Sequence, residues 1–307
     1  MLSYRYVLAA HVRRHLALSA ASRILGTAVA LWLLAPASAR ANQDDVPVPL
    51  APAAALFSDA RGFLTATDGQ MDIAVYPFQG SGHHRWHGRV RGDVAIAQPT
   101  DDSLVRLGLA AQTIADDRNE IAFRLTRVFY DAFTGYEHRL GTAVAYAGYR
   151  HRCTHGADAA VEGRVLIRSG PELGYRLESS FGAWTLAGYA FGHASLIAQN
   201  DDARSMPRAL LATAGELRVR DGWASFLLSA GFGAAFVTRA DDWTATMTEP
   251  WRDVRVMPLP AAALGAVLHG ERADFRIHAH YQRILDTGIG ERSDPMHLMS
   301  LQLAFVY

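Results

Sequence analysis

The sequence predicts an all-β protein: a transmembrane antiparallel up-and-down β-barrel of about 12 strands that follows a cleaved signal peptide. Three observations predict it. The final residues alternate, with Met299, Leu301, Leu303, Phe305 and Tyr307 on one face and Ser300, Gln302 and Ala304 on the other. Hydrocarbon leaves no backbone polar group to water, so a spanning strand must belong to a closed barrel and alternate lipid-facing apolar residues with smaller or polar lumenal ones. At the other end Arg13, Arg14 and Arg23 precede the apolar run Ile24 to Ala35, which leads into Ala37-Ser38-Ala39 and Ala39-Arg40-Ala41. Between the two, turn chemistry cuts the chain into alternating segments with no comparable helical period.

Residues 1–41 read as the signal peptide, with cleavage expected after Ala41. Its apolar run of about a dozen residues is short of the roughly 20 that a spanning helix needs. Residues 42–69 carry Pro47, Pro49 and Pro52 in an alanine-rich run and read as a periplasmic linker or plug segment, the linker being the default for such a composition. Residues 70–307 are then the barrel.

Alternation places strands near 70–78, 90–98, 103–113, 119–130, 139–152, 163–178, 182–194, 208–220, 223–236, 256–269, 272–284 and 296–307. The clearest hairpin joins 208–220 to 223–236 through Asp221-Gly222, a strong two-residue turn signal. Its register puts Leu211, Leu217, Phe226, Leu228 and Phe232 on the lipid side and Glu216, Arg218, Ser225 and Ser229 in the lumen. Ser169-Gly170-Pro171 is a bulge rather than a turn in this reading, because a turn there would break the alternation of long and short connections. The long connections, 79–89, 153–162, 195–207, 237–255 and 285–295, fall on the outer face. Inner ones such as Ser180-Phe181 and Gly270-Glu271 are short, with 131–138 a longer exception.

Thirty basic residues, all of them Arg, balance thirty acidic ones, so net charge gives no reason to expect a nucleic-acid partner. The expected partners are outer-membrane lipids and, through the C-terminal strand, the barrel-assembly machinery; the expected location is the outer membrane of a Gram-negative bacterium. The lone Cys153 excludes an intramolecular disulfide. His83, His84 and His87 gather in the first outer loop without an acidic or thiol partner nearby, so they read as loop histidines; no metal and no cofactor is expected.

Chemistry concentrates at Tyr149-Arg150-His151-Arg152-Cys153-Thr154-His155-Gly156-Ala157-Asp158. A histidine serves as general base near neutral pH, and a thiol or hydroxyl two residues on shares its side of a strand. The catalytic candidates are therefore His151 as base, Cys153 or Thr154 as nucleophile, and Asp158 or Glu162 as the orienting acid. Sharing a face with Ala143, Ala145, Ala147 and Tyr149, His151 is expected to point into the lumen near the outer rim. The competing assignment is a hydrogen-bonded network that pins a loop to the wall, since buried polar groups are normally paired.

This stretch resembles the strand-borne His-x-Ser of outer-membrane phospholipases and lipid A deacylases, with His151 and Cys153 in the matching positions. Cysteine stands where those families carry serine, and no Asn follows His151 before Asn200. It also resembles an uncharacterised bacterial outer-membrane β-barrel family with a His-x-Ser-Ser-His-x-Gly-Asp-like loop after a tyrosine-rich strand. Here that loop is His151 to Asp158, followed by Arg164 to Glu172, and Leu56 to Arg61 matches further upstream. The first resemblance implies lipid hydrolysis, the second a barrel with no established activity.

The remaining candidates are lumenal. Asp274, Arg276, His278 and His280 lie opposite Phe275, Ile277, Ala279 and Tyr281. With Glu162, Arg164, Arg168, Arg176 and Glu178 they predict a lumen crossed by charge pairs, either a stiffening lattice or a narrow path for an ion or solute. A structural or narrow-channel barrel is the expected role, with a lipid hydrolase using His151 as the alternative; a soluble all-β secreted protein leaves the apolar strand faces unexplained.

Overall fold

The computed structural model describes residues 57, 62–77, 85–116, 124–156, 166–199, 206–239, 244–246, 248–284 and 296–307. Fourteen strands form one antiparallel sheet: β1 (Gly62–Val75), β2 (Trp86–Thr100), β3 (Ser103–Asp116), β4 (Arg124–Leu140), β5 (Ala143–Gly156), β6 (Leu166–Phe181), β7 (Trp184–Ala194), β8 (Ile197–Gln199), β9 (Met206–Asp221), β10 (Ala224–Arg239), β11 (Thr244–Thr246), β12 (Arg252–His269), β13 (Asp274–Ile284) and β14 (Met296–Val306). Twelve make the wall. β1 to β7 pair in sequence, β7 passes to β9, and β9, β10, β12, β13 and β14 complete the circuit back to β1. The short β8 and β11 extend it at the long-loop end, β8 against residues 167–169 of β6 and β11 against β8.

Closure depends on the first and last strands. Gln70 to Val75 pair with Leu301 to Val306, and Gly69 and Tyr307 exchange both backbone hydrogen bonds at 3.0 Å. No edge is left in the wall, which is the condition for a sheet to cross hydrocarbon. Along β14, Leu298, Ser300, Gln302 and Ala304 are buried while Met299, Leu301, Leu303 and Phe305 are exposed, so the apolar face is the outside of the barrel. Exposed Phe63, Phe181, Trp223 and Tyr307 cluster by register at the short-turn end, the pattern of an interfacial aromatic girdle.

The short turns are tighter than the alternation suggested. Leu140 pairs with Ala143, Phe181 with Trp184 and Asp221 with Ala224, which leaves Gly141-Thr142, Gly182-Ala183 and Gly222-Trp223 as two-residue loops. In each the glycine comes first with φ of +64° or +65°, the requirement of the primed turns that match strand twist. The hairpin expected at Asp221-Gly222 thus sits one residue later. The expected longer connection at 131–138 is strand: β4 runs on to Leu140. Asp131 and Gly135 had the composition of a turn, but Asp131 is held by Arg150 across the ladder. β1 likewise starts at Gly62, eight residues ahead of the position alternation gave it.

The stretch Ser169-Gly170-Pro171 does not interrupt β6, which pairs with β5 from Leu166 to Leu177 without a register shift. The irregularity lies across the other edge, where pairing with β7 stops at Glu172 and β8 resumes it at Ser169. A Cβ on Gly170 would collide with the carbonyl of Ala194, so glycine is needed for that approach. At the short-turn end Phe57 packs with Ala95, Leu104 and Val144, its ring 4.3 Å beneath the Arg139 guanidinium.

Candidate functional site

β5 and β6 carry different chemistry on their two faces. Arg150 and Arg152 on β5, with Arg168, Glu172 and Arg176 on β6, point inward. Arg150 forks between two carboxylates: Nε and Nη2 donate to Glu172 at 2.5 and 2.9 Å, and Nη1 donates to Asp131 on β4 at 2.6 Å. Tyr146 donates to Glu172 at 3.3 Å. Arg106 on β3 repeats the device, donating to Asp93 at 2.8 Å and Glu137 at 2.9 Å, and Glu137 also accepts from Arg176. Phe133 lies between the two arginines, with guanidiniums 5.8 and 5.3 Å from its centre. Arg106 and Arg150 therefore each have opposite charges and an aromatic face, which offsets their desolvation.

The lattice continues round the wall. Arg218 reaches Glu178 at 2.8 Å and Glu216 at 3.0 Å, and Arg276 reaches Glu216 at 3.3 Å. Asp72 accepts from Arg89 at 2.9 Å and from Gln302 at 2.8 Å, and Gln302 Oε1 meets His278 Nε2 at 3.0 Å. His280 lines the cavity that these side chains leave, while Asp274 sits at the short-turn end beside His269, 3.0 Å away. The described lumenal candidates Arg168, Arg176, Glu178, Asp274, Arg276, His278 and His280 all lie on the inner face; Glu162, Arg164 and Asp158 lie outside the described residues.

The outer face corrects one expectation. His151 does share a face with Tyr149, but that face is the outside of the barrel, where Tyr149, Leu173 and Tyr175 are exposed. The phase follows from Arg150 and Arg152: an arginine facing lipid is far more costly than a histidine doing so, and the inward carboxylates Asp131 and Glu172 hold Arg150. His151 is directly opposite Ser169 on β6, with Nδ1 2.5 Å from Oγ. Cys153 lies two residues further on the same outer face, buried between Tyr130 and Ile167 on the flanking strands. The hydroxyl brought to the histidine is thus Ser169, not Cys153, and nothing in the spacing along one strand could show a partner that register supplies from the next.

Such a pair holds a serine hydroxyl against an imidazole at the wall, the first contact in activating a nucleophile. No described acidic group is placed to orient His151, and among the described residues no three His, Cys, Asp or Glu side chains are arranged to hold a metal. His87, one of the first-loop histidines, is on β2 and faces inward, its Nδ1 3.1 Å from the Tyr76 hydroxyl; His83 and His84 lie outside the described residues.

No family model and no curated protein matches the chain. Among solved structures it is similar to LpxR from Salmonella typhimurium, at 8% identity over 78% of this chain and all of that one, with a TM-score of 0.45. It is similar to the outer membrane phospholipase of Salmonella typhi, solved as a dimer with bound calcium, at 9% identity over 81% and 93% of the two chains, TM-score 0.44. A third is the NanC porin, at 11% identity over 79% and 99%, TM-score 0.41. These neighbours are outer-membrane β-barrels, and at such identities the likeness concerns the fold alone.

Proposed function

We propose that the chain is an outer-membrane barrel with a lumen closed by charge pairs, a structural wall or at most a narrow path rather than an open pore. Outer-membrane lipids surround it in this reading, and the C-terminal strand is what the barrel-assembly machinery engages. The observation that carries it is the buried lattice of Arg106, Glu137, Arg176, Arg150 and Glu172, which spans four strands and sets long, paired side chains on the inner face. Long arginines take up much of the interior of a twelve-stranded barrel. The test is single-channel recording on the refolded mature protein. Conductance well below that of an open porin supports the reading; stable, wide-open steps overturn it.

A second reading, lipid hydrolysis at the wall, is favoured by one specific observation: His151 and Ser169 meet on the outer side of the wall, although Ser169 is itself buried there. His151 would take the proton of Ser169 as the hydroxyl attacks the ester carbonyl. Phospholipid hydrolysis that disappears in both Ser169→Ala and His151→Ala, and survives in Cys153→Ala, would support it. Absence of hydrolysis in the wild type, or its survival in Ser169→Ala, rejects it.

A further inference from the structure

The turn between β12 and β13 brings together a serine, a histidine and an aspartate. His269 ends β12, Asp274 begins β13, and the two are ladder partners across the connection 270–273. A 3.0 Å hydrogen bond from the Gly270 N–H to the Ala273 carbonyl closes that turn, and the His269 N–H donates to the Trp223 carbonyl at 2.8 Å. The second bond ties the end of β12 to the turn that leads into β10, whose second residue is Ser225. Ser225 is buried in phase with Leu227 and Ser229, and His269 follows Val267, the buried ladder partner of Ser225. Both side chains are therefore on the inner face, at the short-turn mouth of the barrel.

The contacts within the group form a directed chain. Ser225 Oγ is 2.7 Å from His269 Nε2, and His269 Nδ1 is 3.0 Å from Asp274 Oδ1. A carboxylate only accepts, so Nδ1 carries the imidazole proton and Nε2 presents its lone pair to the Ser225 hydroxyl. That is the relation of nucleophile, base and orienting acid that activates a serine, and it is recognised by geometry rather than by order along the chain. The His269 and Asp274 side chains are 16% and 28% exposed, whereas Ser225 is 4% exposed. The base and the acid therefore border the aqueous mouth, and whatever reaches the serine behind them must be slender.

We propose that Ser225, His269 and Asp274 form an esterase site at the short-turn mouth, acting on short acyl esters that arrive from the aqueous phase rather than from the bilayer. Ser225 Oγ bonds to the ester carbonyl carbon as its proton passes to His269 Nε2; the C–O bond then breaks and His269 hands the proton to the departing alcohol. Water gives a proton to His269 as it attacks the acyl-serine, and the carboxylic acid leaves as Ser225 regains that proton. Asp274 is a positioning residue: it fixes the ring and stabilises its cationic form without touching the reacting atoms. The site depends neither on the closed lumen nor on the pair His151 and Ser169.

The test separates an activated serine from one that merely fastens the turn. The folded mature chain in detergent is treated with a small fluorophosphonate, whose fluoride Ser225 Oγ displaces at phosphorus while His269 takes the proton, and the adduct is located by peptide mass mapping. An adduct at Ser225 is expected, together with turnover of p-nitrophenyl acetate that disappears in Ser225→Ala. His269→Gln should slow labelling about a hundredfold or more. Asp274→Asn should slow it about tenfold or more, and Asp274→Glu, which keeps the acceptor, should recover part of that rate. Ser229→Ala, on the same inner face of β10, should label as the wild type does. Folded variants are identified by the heat shift of gel mobility, and His269→Ala replaces a His269→Gln that fails it. No adduct at Ser225 in the folded wild type, no ester turnover, or equal labelling in the folded His269 variant overturns the site. An adduct confined to Ser169 also overturns it and moves the activity to the outer wall.

Discussion

The inner and outer faces of β5 and β6 are built from residues one position apart, yet they obey different rules. Inside, Arg150 is fixed by three neighbours, Asp131 and Glu172 through charged hydrogen bonds and Phe133 through its ring face. Outside, His151 makes one hydrogen bond to Ser169 among exposed Tyr149, Leu173 and Tyr175. A buried charge must be surrounded by partners or not exist, whereas a neutral polar pair on the wall can satisfy itself alone. The inner face therefore sets the register and the outer face inherits its geometry from it.

The largest effect should come from breaking the inner face. Arg150→Leu strands Asp131 and Glu172 and should destabilise the barrel by about 3–5 kcal/mol, read as a lowered urea midpoint of the folded protein in vesicles. Adding Glu172→Gln should recover part of that loss, because it removes one of the two orphaned charges. A destabilisation under about 1 kcal/mol would mean that water reaches the lattice and screens it.

Placing the same kind of charge on the opposite face tests the asymmetry directly. Leu173 is one residue from Glu172 and 63% exposed. Leu173→Arg should cost about 2–4 kcal/mol in vesicles if the residue lies near the bilayer midplane, with a smaller loss nearer an interface. The loss should shrink in detergent solution, where water is nearer. An arginine tolerated equally in both media would put this face out of contact with lipid.

Gly170→Val probes the seam between the two faces and the displaced end of β7. A side chain there meets the Ala194 carbonyl, and a loss of about 1–3 kcal/mol is expected by thermal unfolding. Smallest is Ser169→Ala, which removes one hydrogen bond from the outer wall and should cost about 1 kcal/mol or less by the same measurement. A larger loss would make the pair a structural fastening, and would favour that role over hydrolysis.

Much of this was legible along the chain. The final strand shows its faces in ten residues, and the charged set Arg168, Arg176 and Glu178 is inward by simple alternation. The phase of β5 was legible too, had the cost of charge rather than the run of alanines been used: Arg150 and Arg152 cannot both face lipid, so His151 must. Ser169 was hidden because Gly170 and Pro171 give its neighbourhood the look of a turn, and because its meaning lies in the residue across the ladder.

The sequence by itself determined the strands, their number and the apolar outer surface, since these follow from a period of two imposed by hydrocarbon on one side and from glycines that allow tight turns. Only the tertiary structure decided which side chains meet: Arg150 with Asp131 and Glu172, and His151 with Ser169. Those meetings depend on the register between neighbouring strands, and a shift of one residue would turn every one of them to the other face.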